Sequence, residues 1–218
     1  MKGRFITIEG IEGCGKSTLI THLQHLLETT GCQVVVTREP GGTALGEEIR
    51  GLLLGQRKEG MVVESELLLL FAARAEHLAK VIRPALLAGK WVLCDRFTDA
   101  TYAYQGGGRN ISEKRIAALE SWIQNTLHPD ITFLLDLPVE MGLERAGRRA
   151  ALDRFELEDT AFHERVRAAY LALAAAQPER FRIVDASRPL SEVKAIVKQI
   201  FEKRVSGLSS GLDSLDAA

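Results

Sequence analysis

A glycine-rich run near the N-terminus limits the folds open to this chain more than any other feature. It follows an apolar, β-branched segment (residues 5–8) and precedes leucines and isoleucine at the spacing of one helix face (19–27). The run reads Gly10-Ile11-Glu12-Gly13-Cys14-Gly15-Lys16-Ser17, followed by Thr18. Its glycines let backbone N–H groups turn inward, and the helix N-terminus adds partial positive charge. Strand, loop and helix in this order predict a phosphate-binding loop.

The polar side chains of this loop suit nucleotide chemistry. Lys16 can bridge the outer phosphates, while the Ser17 hydroxyl is a suitable ligand for Mg²⁺. The alternative is a glycine turn with an exposed lysine, but the flanking strand and helix favour phosphate binding.

The chain as a whole has the size and composition of one domain. Its 218 residues are 46% hydrophobic and carry a net charge of −1, so no overall basic field attracts a nucleic acid polymer. Three widely spaced cysteines, no signal-peptide pattern and no apolar run of membrane-spanning length predict a cytoplasmic protein without membrane association. We expect a single domain over residues 1–205, with a short lid at about 146–157, and a disordered Gly/Ser-rich tail over 206–218.

Apolar segments alternate with helical patterns along the chain. Strands are predicted at residues 5–8, 33–37, 91–95, 131–136 and 181–184. Helices are predicted at about 43–54, 64–88, 98–105, 112–127, 139–145, 159–176 and 190–204. Thr43 is the expected N-cap of the first, Pro84 is expected to kink the second or to begin a new segment in it, and glycines 106–108 are expected to interrupt the third. This alternation predicts a three-layer α/β/α fold around a parallel five-stranded sheet.

Charged residues follow the predicted strands, where parallel sheets bind their ligands. Arg38 and Glu39 follow the second strand, and Asp95 and Arg96 end the third. A carboxylate at such a strand end is suited to a site near Mg²⁺. Asp136 also ends a strand, and the pattern alone leaves both aspartates open, although the arginine directly after Asp95 favours that one.

A second set of residues indicates a second anionic ligand with a base. Arg38, Arg74 and Arg96 exceed what one polyphosphate needs, and guanidinium binds phosphate in a bidentate manner. Aromatic faces suit base stacking and an amide suits the base edge, for which the candidates are Phe71, Tyr102, Tyr104 and Gln105. The competing interpretations are surface ion pairs for the arginines and core packing for Phe71.

A basic segment between two predicted helices is a candidate lid. It contains Arg145, Arg148, Arg149 and Arg154. Because the phosphate-binding loop contains no arginine, a lid arginine is needed to stabilise transition-state charge on a moving phosphoryl group. A solvated basic loop is the alternative.

The complete set of motifs resembles the bacterial thymidylate kinases over nearly the whole chain. Beyond the loop, the matching pieces are Thr37-Arg38-Glu39-Pro40-Gly41-Gly42-Thr43, Phe71-Ala72-Ala73-Arg74, Asp95-Arg96-Phe97, Tyr102-Ala103-Tyr104-Gln105-Gly106-Gly107-Gly108-Arg109 and Leu152-Asp153-Arg154. The resemblance implies transfer of the γ-phosphoryl group of ATP to dTMP, with Mg²⁺, by a homodimer. Residues 67–70 are a candidate contact.

The resemblance also implies a role for each matching residue. Lys16 and the loop amides would hold ATP, and Ser17, Asp95 and Glu39 would lie at or near Mg²⁺. Arg38 and Arg96 would bind the dTMP phosphate. Around the nucleoside, Glu12 would face the sugar hydroxyl, Phe71 the base plane, Arg74 a base carbonyl, Thr101 and Gln105 the base edge, and Tyr104 the deoxyribose. The lid arginine would be Arg149, or next Arg148.

Two rival functions have weaker support in the sequence. Another small-substrate kinase would share the loop but lack the set of aromatic, amide and tyrosine groups. A nucleotide-dependent switch would hydrolyse slowly without an acceptor, and the base-reading Asn-Lys-x-Asp motif of guanine-specific switches does not occur.

Overall fold

Five parallel strands form the centre of the computed structural model, which describes residues 3–148 and 153–209. The strands lie in the order β2-β3-β1-β4-β5. Their bounds are Phe5–Glu9 (β1), Val34–Arg38 (β2), Trp91–Asp95 (β3), Ile131–Asp136 (β4) and Phe181–Asp185 (β5). The predicted parallel five-stranded sheet is therefore confirmed.

Helices connect the strands and cover the sheet. They are α1 (Lys16–Thr29), α2 (Ala44–Leu54), α3 (Val63–His77), α4 (Arg83–Leu87), α5 (Thr98–Thr101), α6 (Glu113–Gln124), α7 (Val139–Gly147), α8 (Thr160–Ala176) and α9 (Leu190–Ser209). Thr43 caps α2 as predicted, because its hydroxyl accepts from the Gly46 amide at 3.0 Å. No helix in the described ranges is long and apolar enough to cross a bilayer.

Both faces of the sheet are buried. On β1, Ile6 and Ile8 pack with α1, whereas Phe5 lies on the other side among residues of α4 and the turn before it. Strand side chains alternate between faces, so this division gives the three layers. The sheet edges are less covered: Val36 of β2 and Ile183 of β5 are exposed.

The structure matches one local expectation and differs from two. The helical stretch predicted over 64–88 does begin a new segment near Pro84, since a π-helical turn, Leu78–Ile82, precedes a helix that starts at Arg83. The glycines at 106–108 do not interrupt the helix after Thr101, because a π-helix runs over Tyr102–Gly108. The last helix reaches Ser209, so residues 206–209 of the expected tail are helical; residues 210–218 lie outside the described part.

Candidate active site

The phosphate-binding loop joins β1 to α1 as predicted. Gly13 has a φ of +70°, and a Cβ there would lie 2.0 Å from the carbonyl oxygen of Gly142, so this close approach requires glycine. Lys16 Nζ donates to the carbonyl oxygens of Gly10 at 3.2 Å and Ile11 at 3.0 Å. The ammonium group thus lies across the loop, while the Ser17 side chain at the start of α1 is exposed.

Cys14, a residue of the loop, is buried beside Lys16. Its Sγ lies 3.6 Å from Lys16 Nζ. Burial raises the pKa of the Cys14 thiol, and the nearby Lys16 charge only partly opposes this. The thiol therefore stays protonated, which agrees with a packing role rather than a redox role.

Sheet register brings the charged strand ends together. Asp95 of β3 pairs with Ile8 on one side and with Arg38 on the other. Asp95 Oδ1 is buried, and no group in the described part of the chain hydrogen-bonds to it. A buried carboxylate oxygen without a partner is costly unless a ligand satisfies it.

Arg96 lies at the centre of a buried polar cluster. Its Nη2 contacts Glu12 Oε1 at 2.8 Å, and its guanidinium lies 4.7 Å from the centre of the Tyr104 ring. The Tyr104 hydroxyl donates to both oxygens of Glu12, at 2.7 and 2.8 Å. Burial raises the pKa of Glu12, but Arg96, His163 and Lys16 outweigh burial and hold that pKa well below its usual value. Glu12 is therefore ionised at neutral pH.

Residues missed by the sequence reasoning complete this cluster. The Tyr170 hydroxyl of α8 accepts from Arg96 Nη1 at 3.2 Å and donates to Glu9 Oε2 at 2.7 Å. His163 Nδ1, also on α8, lies 3.5 Å from Glu12 Oε2. Their periodic spacing on an amphipathic helix looks like ordinary core packing, so the sequence contained no distinct signal for them.

A second network fixes Glu39 and Arg74. Glu39 Oε2 accepts from Arg74 Nε at 2.7 Å, and Glu39 Oε1 lies 3.0 Å from Nδ1 of His77, another residue not predicted for the site. Arg74 Nη2 donates to Thr101 Oγ1 at 2.9 Å. Arg74 Nη1 has no hydrogen-bond partner among residues 3–148 and 153–209. Both oxygens of Glu39 thus have protein partners, unlike Asp95 Oδ1.

Phe71 supports this network from the side. Its ring is only 3% exposed and packs with Ile111 and Ile116, while the Arg74 guanidinium lies 4.7 Å from the ring centre. Stacking of a base on Phe71 stays a prediction.

Gln105 is held by a carboxylate. Its Nε2 donates to Glu66 Oε1 at 2.8 Å. The π-helical segment Tyr102–Gly108 packs closely on α8, because a Cβ on Gly107 or Gly108 would lie within 2.6 Å of α8 side chains. Tyr104 and Gln105 of this segment line the cleft. A π-helical turn at a candidate functional site is a common arrangement.

The predicted lid arginines have different surroundings. Arg149 lies outside the described residues. Arg148 is exposed and pairs with Glu144 of the same helix, and Arg145 donates to the carbonyl oxygen of Ala186 at 2.9 Å. Arg154 is anchored, since its Nε donates to the Leu53 carbonyl at 2.8 Å.

The alternative carboxylate, Asp136, has a structural partner. It forms a bidentate ion pair with Arg167 at 2.7 and 3.0 Å. Arg38 is also paired, with Glu47 of α2 at 2.7 Å, and remains exposed. Arg50, not predicted, donates to the carbonyl oxygen of Pro40 at 2.9 Å.

One cleft of about 300 Å³ at the carboxyl end of the sheet brings many of the predicted site residues together, whereas Phe71 and Asp136 are not among its lining residues. The predicted residues in its wall are Glu12, Gly13, Gly15, Lys16, Ser17, Arg38, Glu39, Arg74, Asp95, Arg96, Thr101, Tyr104 and Gln105. Arg50, Leu70, Phe97 and Asp153 are among the further lining residues. The cleft thus combines the glycine-rich loop with the arginines Arg38, Arg50, Arg74 and Arg96.

Several known proteins are similar to this chain in sequence or in structure. The sequence model of the family described as Thymidylate kinase matches residues 8–197. Proteins named Thymidylate kinase from Pseudomonas savastanoi pv. phaseolicola and Alcanivorax borkumensis are 57% and 56% identical to this chain, over 94% and 93% of it and 99% and 98% of their own lengths. The crystal structure of thymidylate kinase from Ehrlichia chaffeensis matches with a TM-score of 0.74 and 34% identity, covering 92% of this chain and all of that one. The resemblance found in the motifs is confirmed, and the chain belongs to the thymidylate kinase family.

Proposed function

We propose that this cleft transfers the γ-phosphoryl group of ATP to dTMP, giving dTDP and ADP for dTTP synthesis. The family implies ATP as donor and a nucleotide as acceptor. The observation that carries the proposal is that Lys16 and Ser17 share one cleft with Arg38 and Arg96. One set can hold the donor phosphates while the other holds the acceptor phosphate, so two phosphorylated ligands fit together.

We assign the donor side to the loop. Its amides and Lys16 would bind the β- and γ-phosphates, and Lys16 would leave the loop carbonyls that it contacts in this structure. Mg²⁺ fits Ser17 and Asp95, because the unpartnered Asp95 Oδ1 is an oxygen ligand of the kind Mg²⁺ prefers. When bound, Mg²⁺ would neutralise charge on the transferred phosphoryl group. Glu39 is better suited to holding Arg74.

We assign the acceptor side to the arginines and the buried polar groups. Arg96 and Arg38 would orient the dTMP phosphate so that one of its oxygens faces the γ-phosphorus in line. Arg74 Nη1 would donate to a base carbonyl, and Thr101 and Gln105 would face the base edge. Glu12 would accept from the sugar hydroxyl, and Tyr104 would pack where a ribose carries its 2′-hydroxyl. Catalysis is then mostly positioning and charge stabilisation.

The test is ADP release with ATP and Mg²⁺ in the presence of dTMP, dUMP, dCMP, dGMP or no acceptor. We expect strong turnover with dTMP and weaker turnover with dUMP. Turnover centred on another acceptor would retain phosphoryl transfer and refute the assignments of Arg74 and Gln105. Equal slow hydrolysis in every tube would favour the switch function instead.

The lid arginine is proposed to be Arg149. If its guanidinium stabilises the transition state, Arg149→Ala should lower kcat by a factor on the order of 10² or more, with little change in KM for dTMP. Arg148→Ala is the matched control, because the Arg148 side chain is exposed and paired with Glu144. Near-normal turnover of Arg149→Ala would eliminate this role, and a loss confined to Arg148→Ala would transfer it.

The metal assignment predicts a specific defect. Asp95→Asn keeps the shape of the side chain but removes its charge, so the Mg²⁺ concentration for half-maximal activity should rise about tenfold. Glu39→Gln should instead raise KM for dTMP, since it weakens the hold on Arg74. An unchanged Mg²⁺ requirement in Asp95→Asn would exclude this ligand.

We also propose that the protein is cytoplasmic and forms a homodimer. The three cysteines are unpaired, as expected in a reducing compartment. Leu68 of α3 and Trp122 of α6 are exposed on two helices that pack together, which favours a contact on that side.

A further inference from the structure

Glu66 of α3 is a fully buried carboxylate with no role in the reaction described above. Three side chains converge on it. Gln105 Nε2 donates to Oε1 at 2.8 Å, Arg154 Nη1 lies 2.7 Å from Oε2, and Arg109 Nε lies 3.5 Å from Oε1. A carboxylate paired with two guanidinium groups accepts hydrogen bonds and donates none. Glu66 therefore offers its neighbours only an acceptor.

This restriction decides the orientation of the Gln105 side chain. The two ends of a primary amide are alike in size but opposite in hydrogen bonding. Because Glu66 only accepts, the NH₂ group of Gln105 must face it. The remaining oxygen, Oε1, is then the end of the amide turned away from Glu66, and Gln105 lines the cleft. Gln105 therefore presents a hydrogen-bond acceptor, its Oε1 atom, to the cleft.

Pyrimidine bases differ at the atom that meets such an acceptor. Thymine and uracil carry an N3–H donor between two carbonyls, whereas cytosine has a bare N3 acceptor next to an amino group. An acceptor at Gln105 attracts the first pattern and opposes the second, and Arg74 Nη1, a donor without a partner, suits a carbonyl and opposes an amino group.

We propose that Glu66 is a specificity-determining positioning residue, which fixes the Gln105 amide so that the cleft selects bases with an N3–H group. This inference rests on the proposed function. Arg154, 2.7 Å from Oε2, holds the carboxylate in place, whereas Arg109 is 3.5 Å from Oε1 and pairs more closely with Glu158, at 2.6 Å. Arg154 lies in the predicted lid, and Arg109 directly follows the π-helical segment. Selection against cytosine thus depends on a group that never touches the base.

The test is the selectivity of Glu66→Gln, measured as the ratio of kcat/KM for dTMP to that for dCMP. The amide introduced by Glu66→Gln can present either its oxygen or its NH₂ group to Gln105. The Gln105 amide can then rotate by about 180° and still form a hydrogen bond. We expect the ratio to fall about tenfold, the effect of one misplaced hydrogen bond. The dTMP to dUMP ratio should not change, because both bases carry N3–H. Arg109→Gln is the control, since it disturbs the same cluster but keeps the carboxylate.

The exchange variant Glu66→Gln/Gln105→Glu distinguishes a lost orientation of the Gln105 amide from a general disturbance of the site. It returns an acceptor-only group to position 105, so the selectivity for dTMP over dCMP should recover relative to Glu66→Gln. A folded Glu66→Gln with unchanged dTMP to dCMP ratio would overturn the proposal. So would an equal loss of selectivity in Arg109→Gln.

One further measurement uses only the wild-type enzyme, so it does not depend on whether the variants fold. N3-methyl-dTMP lacks the N3–H donor, and we expect it to compete with dTMP at least tenfold more weakly than unlabelled dUMP does. Equal competition would overturn the inference. Wild-type turnover of dTMP in the same assay distinguishes this failure from failure of the proposed function, which would show as no turnover at all.

Discussion

Arg96 has a backbone conformation, φ 67°, that residues other than glycine seldom adopt. The surrounding structure holds it there from both sides. Its amide donates to the Ile8 carbonyl at 3.0 Å, and the next amide, of Phe97, donates to Glu9 Oε1 at 2.7 Å. Such a conformation costs about 1 kcal/mol or more and persists only where neighbours impose it. The strain directs the guanidinium into the cleft, which is a positioning effect at the scale of one residue.

Glu9, which holds this turn, links stability to pH. Burial, with a further contribution from Asp99, raises the pKa of Glu9 to about 8, although Arg96, Tyr170 and the Phe97 amide oppose the shift. Because the folded-state pKa exceeds the unfolded one, the folded state binds the extra proton. Its stabilising effect is complete below the unfolded pKa of about 4.5 and is lost as pH rises through about 8.

Glu9→Gln should therefore flatten the pH profile of stability. Glutamine stays neutral at every pH, so the fall in Tm between about pH 6 and about pH 9 should be smaller in the variant than in the wild type. Thermal unfolding at several pH values measures this, and parallel profiles would show that Glu9 does not titrate in that range.

Helix α8 connects the side of the molecule with the predicted lid to Arg96. It follows residues 153–157, and its Tyr170 hydroxyl lies between Glu9 and Arg96. The close packing of Gly107 and Gly108 against α8 fixes the distance from this helix to the π-helical segment. The position of Arg96 thus depends on an element 74 residues further along the chain.

Tyr170→Phe should weaken binding of the acceptor. The change removes one acceptor from Arg96 and one donor from Glu9, so we expect KM for dTMP to rise about fivefold, the effect of about 1 kcal/mol, with KM for ATP unchanged. Tyr102→Phe is the control, because its hydroxyl donates to Glu120 at 2.6 Å outside the cleft wall. Equal KM values for dTMP in both variants would argue against this role of α8.

The strand ends of the site could be predicted from the sequence, but their supports could not. Lys16, Arg38, Asp95 and Arg96 each follow an apolar strand or lie in the glycine loop, and a parallel sheet brings such positions together. Tyr170, His163 and His77 lie on helices, where a position facing the site and one facing the core have the same spacing. Which carboxylate keeps an oxygen for a ligand, Asp95 rather than Glu39, depends on distances that no spacing encodes.

At the scale of the whole molecule, side-chain burial limits which of residues 67–70 can reach the predicted dimer contact. Leu67 and Leu70 are buried in the protein's own core, whereas Leu68 is 57% exposed. Trp122 of α6, on the helix packed beside α3, is 76% exposed. Two large apolar side chains exposed on neighbouring helices favour a protein contact there.

Leu68→Glu should therefore shift the proposed homodimer toward monomer. Burying a charge without a partner at an apolar contact is unfavourable, so the dimer dissociation constant should rise at least tenfold. Analytical ultracentrifugation across a concentration series measures this. Leu87→Glu, at an 89% exposed position on α4, is the matched control and should leave the association unchanged. Similar behaviour of both variants would place the contact elsewhere.

The ion pairs of Arg38 with Glu47 and of Arg96 with Glu12 have a consequence for turnover. Each arginine proposed to bind the acceptor phosphate is already paired with a carboxylate, so an incoming monophosphate would replace that carboxylate instead of binding a free cation. The guanidinium groups lose little motional freedom in that exchange, and the displaced carboxylates lose contacts. The net free energy of binding the monophosphate is then small, so the phosphorylated ligand also dissociates readily. A catalyst whose product keeps the same phosphate as its substrate gains from such an exchange, because the product is released as readily as the substrate is held.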